Sequence, residues 1–233
     1  MRILLFDIET VANLAWVWGK YQQDVIAYQK EWELLCISYK WLNEKKVYFE
    51  KRQKTDKNLV KTLHHLFKEA DVLIAHNGDN FDVKKAKTRM IFYGFSPPKI
   101  LKTIDTKKIA KNKFGFNSNS LNDVAKYLKL GTKVQHTGFS LWQDCLKNDK
   151  KAWALMKKYN IQDVLLLEMV YKKLLPWIEN HPSVAKFLRR VGCPNCGGED
   201  IVKRGIRANT ASLQQQWNCN LCSSWFLTSI KKI

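Results

Sequence analysis

The sequence predicts an α/β domain built on a mixed five-stranded sheet flanked by helices, followed by a small cysteine-rich module. Up to about residue 177, short apolar runs alternate with segments of helical periodicity, a succession typical of α/β domains. Two Cys-x-x-Cys pairs beyond residue 190 set the tail apart. The 233 residues leave room for one domain of about 150–200 residues and a small appendage.

Five short runs rich in aliphatic and aromatic residues are expected to form the strands of the sheet. They are Arg2–Ile8, Leu34–Trp41, Lys46–Glu50, Asp71–Ala75 and Lys102–Asp105. The sequence Leu-Asn-Glu-Lys at 42–45 is a turn between the second and third runs, which predicts a hairpin and antiparallel pairing there.

Helices are expected between these strands and after them. Apolar residues recur at helical spacing between positions 59 and 67, and Phe95-Ser-Pro-Pro stops a helix predicted over Phe81–Tyr93. Ser120 followed by Asp123 resembles a capping box for a helix over Leu121–Leu128. A long helix is predicted from Lys150 to Leu174, and a short basic one over Ser183–Arg190.

Asp7 and Glu9 are alternate residues at the end of the first apolar run. Alternate residues of a strand project from the same face, and buried carboxylates are costly unless a cation neutralises them. Oxygen ligands of this kind suit magnesium or manganese. Taken alone, such a pair more often belongs to a strand that ends in a polar loop, with both carboxylates solvated.

Two later segments strengthen the metal-site interpretation. The run at 72–75 leads into His-Asn-Gly-Asp-Asn-Phe-Asp, in which Asp82 begins a helix; the helix dipole would favour it there, but this does not account for Asn77. Tyr159 and Asp163 are four apart in the long helix and therefore share a face. Their alternative interpretation is a half-buried tyrosine and an exposed aspartate.

The three segments together resemble the DEDD 3′–5′ exonucleases, the DnaQ-like branch of the ribonuclease H-like superfamily. Residues 6–10, Phe-Asp-Ile-Glu-Thr, match the first motif of that family, and 77–82 match Asn-x-x-x-(Phe/Tyr)-Asp. Residues 159–163 match the tyrosine form of the third motif, as in proofreading domains of family B DNA polymerases and in ribonuclease D. The likeness spans about residues 1–177 and extends to small phage-encoded relatives of the proofreading domain.

The resemblance implies phosphodiester hydrolysis with two Mg²⁺ or Mn²⁺ ions about 3.5–4 Å apart. Asp7 would bridge both ions, Glu9 and Asp163 would complete the shell of one, and Asp82 would hold the other. Tyr159 would orient the attacking water, since a phenol with a pKa near 10 is a poor base at neutral pH.

Further side chains near the motifs are candidates for substrate contacts. The candidates are Asn77 and Phe81 of the second motif, Trp18 after the first motif, and Lys84. Exposed aromatic residues can stack unpaired bases, although aromatic residues more often fill cores. Base stacking and core packing are the two alternatives for each of two aromatic groups. The first group is Trp16, Trp18 and Tyr21, and the second is Phe114 and Phe116. His136, in a polar stretch, is either a surface histidine or a phosphate contact.

The formal net charge of +19 and a pI near 9.7 suit a polyanionic partner. Two basic clusters lie close to the motifs, although most single lysines are expected to be solvated surface residues. The clusters are Lys84, Lys85, Lys87 and Arg89, and Lys107, Lys108, Lys111 and Lys113. We expect the aggregate charge to steer phosphates toward the site.

The tail carries Cys193, Cys196, Cys219 and Cys222 as two knuckles, a spacing that predicts one structural Zn²⁺. Disulfides or a redox pair are the alternatives. No secretory signal is apparent at the start of the chain, which argues against stable disulfides, and two matched knuckles exceed one redox motif. Cys36 and Cys145 are expected to be ordinary thiols.

This tail resembles zinc ribbons of transposases and transcription factors. Its basic residues are candidates for binding nucleic acid, although zinc ribbons also dock proteins, here a replication or repair protein. They are Lys203, Arg204, Arg207, Lys231 and Lys232. The expected organisation is an exonuclease domain at 1–180, a connecting segment at 181–190 and a zinc ribbon at 191–233. Truncation near residue 180 is expected to leave hydrolysis of short strands but weaken binding to longer ones.

Taken together, the sequence predicts a stand-alone 3′–5′ exonuclease acting on single-stranded DNA or frayed 3′ ends. The rivals are a 3′–5′ exoribonuclease, a non-catalytic nucleic-acid-binding adaptor and, least favoured, a transposase-type nuclease. An intact set of carboxylates argues against the adaptor because binding alone needs none of them. We expect a cytoplasmic protein, in the host cytoplasm if phage-encoded, with no membrane contact, since no apolar run approaches the ~20 residues that cross a bilayer.

Overall fold

The computed structural model describes residues 1–21, 24–99, 102–208 and 210–230. The strands are β1 (Ile3–Thr10), β2 (Leu14–Trp16), β3 (Ala27–Lys30), β4 (Leu34–Trp41), β5 (Tyr48–Lys51), β6 (Val72–Ala75), β7 (Lys102–Asp105), β8 (Ile201–Ala208), β9 (Leu213–Cys219) and β10 (Trp225–Ser229). The helices are α1 (Lys57–Glu69), α2 (Asp82–Phe92), α3 (Thr106–Lys113), α4 (Leu121–Tyr127), α5 (Phe139–Leu146), α6 (Lys150–Leu174) and α7 (Val184–Phe187), with a 3-10 turn at Leu175–Trp177.

The predicted five-stranded mixed sheet is confirmed, with strand order β5-β4-β1-β6-β7. β1 lies at the centre, antiparallel to β4 and parallel to β6. The β4–β5 hairpin is antiparallel, as the turn between them predicts, and β6–β7 is parallel. The bounds predicted for β4, β7 and α6 agree with the structure.

Side chains of β1 alternate between two apolar cores, one on each face of the sheet. Leu4 and Phe6 pack with residues of α1 and α2, including Phe67, whereas Leu5 packs with residues of α4 and α6. This alternation follows from the period-2 geometry of a strand. Asp7 and Glu9, at odd positions like Leu5, therefore lie on the face that α6 covers.

Two helices and a hairpin of the first 177 residues were not predicted. α3 begins directly after β7, where the Asp105 carboxylate caps it by accepting hydrogen bonds from the amides of Lys107 and Lys108. α5 follows Gly138, whose φ of 75° only glycine adopts readily. β2 and β3 form a separate hairpin of exposed residues. The helix predicted over Ser183–Arg190 is shorter in the structure, which limits it to α7.

Ser120 caps α4, since its hydroxyl accepts a hydrogen bond from the Asp123 backbone amide and donates one to the Asp123 carboxylate. The reciprocal bond of a full capping box is replaced, because the Ser120 backbone amide donates to the Ser118 hydroxyl. The Asp82 side chain, by contrast, does not cap α2. Phe81 occupies the cap position, and Asp82 is the first helical residue. No helix in the described part of the chain is long and apolar enough to span a membrane.

The tail forms a three-stranded antiparallel sheet of order β10-β9-β8. Its first knuckle packs against the end of α6: the buried Asn195 amide donates hydrogen bonds to the carbonyls of Leu175 (2.9 Å) and Ile178 (3.3 Å). The Val184 amide donates to the Pro194 carbonyl at 2.7 Å. Hydrogen bonds thus cross the boundary expected near residue 180. Lys231 and Lys232, candidates for nucleic-acid contact, lie outside the described residues.

Candidate active site

Three of the predicted metal ligands converge where β1 passes under α6. Asp7, Glu9 and Asp163 each offer a carboxylate oxygen, and these oxygens lie within 4.8 Å of one another. The convergence follows from two periodicities. The strand places Asp7 and Glu9 on one face, and the helix turns Tyr159 and Asp163 toward the same face.

Asp82, the first residue of α2, lies beside this cluster. Its carboxylate accepts a hydrogen bond from the Ile8 amide at 3.2 Å, and its charge contributes to raising the pKa of Asp7. The turn that leads to Asp82 depends on two residues. Asn77 has a φ of 72°, and a Cβ on Gly78 would lie 2.5 Å from the Cβ of Ala75. The tight turn therefore carries the chain from β6 into α2.

The four carboxyl groups repel one another in a site with little water. Burial, with smaller contributions from the neighbouring carboxylates, raises the pKa of Asp7 well above its usual value. Burial and the charge of Asp163 raise the pKa of Glu9 to about 8, and burial raises the pKa of Asp82 to about 7. A bound cation would reverse these shifts, because it stabilises the charged form of each group.

Lys133 is the cation that the structure places at this cluster. Its ammonium donates a hydrogen bond to Asp163 Oδ2 at 2.6 Å and another to the Tyr159 hydroxyl at 3.3 Å. Burial and the charges of Glu9 and Asp163 raise the pKa of Tyr159 further above its usual value. The phenol is therefore neutral and can donate a hydrogen bond, but it cannot serve as a base near neutral pH.

The donor set fits divalent metal ions. Asp163 Oδ1 is buried and has no hydrogen-bond partner among the described residues, which is costly for a carboxylate oxygen. A metal ion bound there would supply the missing partner. Clustered carboxylate oxygens without sulfur or imidazole ligands are the set that magnesium and manganese prefer.

Besides Lys133, three residues of the site were not predicted as ligands or positioning residues. Asn160 is fully buried, and its amide donates a hydrogen bond to Asp7 Oδ2 at 2.5 Å. The His136 ring is half-buried 4.9 Å from the Tyr159 ring, so it is not a simple surface histidine. Trp142 donates a hydrogen bond to Glu9 and contacts His136. Asn160 adjoins Tyr159 in sequence, the one signal that marks it.

The candidate substrate contacts lie in different surroundings. The backbone amide of Asn77 donates a hydrogen bond to the Asp105 carboxylate at 2.9 Å, and this contact supports the turn. Phe81 is half-buried at the start of α2. Lys84 is exposed on α2. Trp18 lies in the turn between β2 and β3 and is 80% exposed.

The first basic cluster is only partly available for phosphate. The prediction that Arg89 belongs to a phosphate-binding cluster is wrong, because its guanidinium is buried. It forms a bidentate ion pair with Asp56, at 2.6 and 2.7 Å, which stabilises the interior of the domain. In the second cluster, Lys108 pairs with Asp79. Phe114 and Phe116 contact each other, at 5.3 Å between ring centroids, and pack partly against the α6 core.

The four cysteines of the tail converge as the knuckle spacing predicts. Their sulfur atoms lie within 4.8 Å of one another, with 3.6 Å between Cys193 and Cys222 and 3.7 Å between Cys196 and Cys219. Four sulfurs about 2.3 Å from a tetrahedral zinc ion would be about 3.8 Å apart. The cluster is compatible with a zinc ribbon. Cys36 and Cys145 are buried elsewhere, in β4 and α5.

Comparisons with known proteins agree with this fold. The family model described as RNase_H superfamily matches residues 4–175. A solved structure of the family B DNA polymerase from the hyperthermophilic archaeon Pyrobaculum calidifontis superposes with a TM-score of 0.58 at 17% sequence identity. The match covers 76% of this chain and 25% of the polymerase chain, so the chain corresponds to about a quarter of that protein's length. No curated protein sequence matches the chain.

Proposed function

Because this chain belongs to the RNase H superfamily, we propose that it is a nuclease of the 3′–5′ exonuclease class, acting on single-stranded DNA or frayed 3′ ends. The observation that carries the proposal is the convergence of Asp7, Glu9 and Asp163 beside a neutral Tyr159. A protein that only bound nucleic acid would gain nothing from buried carboxylates, since they repel phosphate.

We propose that the four carboxylates would hold two Mg²⁺ or Mn²⁺ ions, to both of which Asp7 would contribute ligand oxygens. Asp163, with its unpartnered oxygen, and Glu9 would hold one ion, and Asp82 would hold the other. Ions bound there would activate water and stabilise charge on the attacking and leaving oxygens.

The remaining residues of the site position these groups. The neutral Tyr159 hydroxyl donates a hydrogen bond and would orient a water molecule without removing its proton. Lys133 holds both Tyr159 and Asp163, and its ammonium would offset negative charge as the phosphodiester reacts. Asn160 fixes one oxygen of Asp7, which limits the directions in which that carboxylate can bind.

Substrate contacts are assigned from their nearness to the metal ligands. Asn77 and Phe81, in the turn that leads into Asp82, are proposed to contact the terminal nucleotide, and Lys84, in the first turn of α2, is proposed to contact phosphate. The tail is proposed as a zinc ribbon at 191–233, joined to a nuclease domain at 1–180 by residues 181–190. Its exposed Arg204 and Arg207 would contact either nucleic acid or a replication or repair protein.

The polarity and the substrate are tested with end-labelled strands. A 5′-labelled single-stranded DNA incubated with the protein and Mg²⁺ or Mn²⁺ is expected to give a ladder of 3′-shortened products. Internal nicks or joined strands would contradict the exonuclease and favour a transposase-type reaction. Competition between DNA and RNA of the same sequence shows which of the two nucleic acids the protein prefers. Preferential shortening of RNA would identify the protein as an exoribonuclease instead.

A further inference from the structure

The hairpin formed by β2 and β3 exposes an unusual number of large apolar side chains. It begins at Leu14, five residues after Glu9, and so follows directly on the strand that carries two of the proposed metal ligands. Its exposed apolar residues are Leu14, Trp16, Val17, Trp18, Tyr21, Val25, Ile26 and Tyr28. Trp18 and Tyr21 near the turn are 80% and 89% exposed. Apolar surface of this extent on one element indicates a binding surface.

Core packing does not account for these side chains, although the hairpin backbone is anchored. The Val11 amide donates to the Glu33 carbonyl at 2.9 Å, and the Trp32 amide donates to the Asn13 side chain at 2.8 Å. These bonds fix the foot of the hairpin to the domain. A two-stranded hairpin is by itself only marginally stable. Burying its rings against a ligand would therefore stabilise it.

A cleft of about 700 Å³ opens at the foot of the hairpin. Leu14 and Lys30 of the hairpin form one wall, and Phe139 and Trp142 of α5 contribute aromatic rings. Among the described residues that line it are four cations and no carboxylate. The cations are Lys30, Arg52, Lys54 and Lys147. Glu33 pairs with Arg52 and Lys30, and Asp144 pairs with Lys147, so two carboxylates just outside the lining reduce the positive charge of the cleft without cancelling it.

The cleft leads toward the metal ligands. A second, more open cavity of about 370 Å³ shares Phe139 and Trp142 with it and is also lined by Thr10 and His136. His136 and Trp142 contact Tyr159, at 4.9 and 6.2 Å between ring centroids. The two cavities therefore connect the hairpin to the proposed catalytic residues along one aromatic-lined path.

We infer that this cleft and the aromatic rings of the hairpin bind an unpaired stretch of nucleic acid next to the metal site. The inference deepens the proposed function and rests on it. Aromatic side chains beside cations are the combination that holds single strands, because every base offers a ring face and every phosphate a charge. A protein partner would account for the exposed rings but not for the basic cleft that continues into the site.

The test measures binding of a fluorescein-labelled oligothymidylate by anisotropy, with no divalent ion added so that the strand stays intact. Trp18→Ala and Tyr21→Ala are each expected to weaken binding about tenfold, since a stacked base contributes about that factor. Trp18→Phe is expected to keep most of the affinity. Tyr127→Ala is the matched control, because Tyr127 on α4 is 73% exposed and lies outside the cleft.

Unchanged affinity in both alanine variants would overturn the inference, as would equal losses in the Tyr127→Ala control. A change from dimer to monomer in these variants without a change in affinity would also overturn it and assign the hairpin to contacts between copies of the chain. The proposed hydrolysis is judged separately in the wild-type protein. If binding depends on Trp18 and Tyr21 but no divalent-dependent cleavage occurs, only the proposed exonuclease activity is contradicted. If cleavage occurs but binding does not depend on these two rings, only this inference is contradicted.

Discussion

At the residue scale, the proposed chemistry depends on side chains that hold the metal ligands in place. Asn160 was missed because a polar residue in a long helix normally points to solvent, whereas here it is fully buried against Asp7. Lys133 and His136 lie in an irregular segment between α4 and α5, where no periodicity indicates which way a side chain points. The motif residues were predictable because strand and helix periods fix their directions.

Asn160→Leu removes the hydrogen bond to Asp7 while keeping the volume of the side chain. Outer-shell substitutions of this kind reduce metal affinity or activity about 10–100-fold. We expect a loss in that range, with a higher Mn²⁺ concentration needed for half-maximal hydrolysis. Asn58→Leu on α1 is a control, because it removes a hydrogen bond to the Lys51 carbonyl from a helix that packs on the opposite face of the sheet. Full activity at unchanged Mn²⁺ dependence would show that Asn160 does not position Asp7.

Lys133→Met tests the cation at Tyr159 and Asp163. Removing one donor from a transition-state charge costs about 10²–10³-fold in turnover, and we expect a loss at the lower end. Mn²⁺ binding should be retained, because the variant keeps every carboxylate. Lys108→Met, which removes an exposed pair with Asp79, serves as the control. Turnover equal to wild type would exclude a role for Lys133 in the reaction.

At the scale of elements, the strands and helices that have one apolar face could be predicted from the sequence. The elements that depend on a capping residue, a glycine or contacts outside the core could not. β4, β7 and α6 were predicted at their observed bounds. α3 is mostly polar and depends on the Asp105 cap, and α5 starts after a glycine in a polar stretch. The β2–β3 hairpin lacks a buried face, so its apolar residues gave no alternating pattern.

The carboxylates on β1 and α2 predict a pH dependence. The pKa values of Glu9, about 8, and Asp82, about 7, exceed those of the unfolded chain, so between about pH 4 and 8 the folded metal-free protein binds more protons. Its stability should therefore fall as pH rises through that window. Mn²⁺ competes with these protons, so its stabilisation should grow from pH 5 to pH 8. Thermal unfolding with and without Mn²⁺ measures both trends.

Asp7→Asn is the matched variant for this measurement, because it removes one of the coupled carboxyl groups. Its metal-free stability should fall less steeply with pH than that of the wild-type protein. A wild-type stabilisation by Mn²⁺ that stays constant or shrinks from pH 5 to pH 8 would contradict the account of the coupled carboxyl groups.

At the scale of the whole molecule, the tail is joined to the nuclease domain more closely than its sequence suggested. Knuckle spacing predicts the cysteine cluster, but no local pattern indicates that Asn195 would bond to the carbonyls of Leu175 and Ile178 at the end of α6. This contact joins two segments that are separated in the sequence and differ in composition and periodicity. They become visible only when the whole chain is folded.

Asn195→Ala leaves buried carbonyl groups without partners. Such a loss costs about 1–3 kcal/mol, and we expect the free energy of unfolding to fall by that amount in urea denaturation. Asn220→Ala, which removes an exposed hydrogen bond to Asp200, should cost less. Equal effects of the two substitutions would mean that the knuckle does not stabilise the end of α6.

Divalent-dependent hydrolysis by the carboxylate cluster is the central claim, and comparing wild type with Asp7→Asn on one 5′-labelled single strand tests it most directly. We expect wild-type protein to shorten the strand from its 3′ end only when Mg²⁺ or Mn²⁺ is present. Asp7→Asn, which keeps the shape of the side chain but not its charge, should reduce this cleavage at least ~10²-fold, as loss of a transition-state contact does. Cleavage without divalent ions, or cleavage that survives Asp7→Asn, would contradict the account.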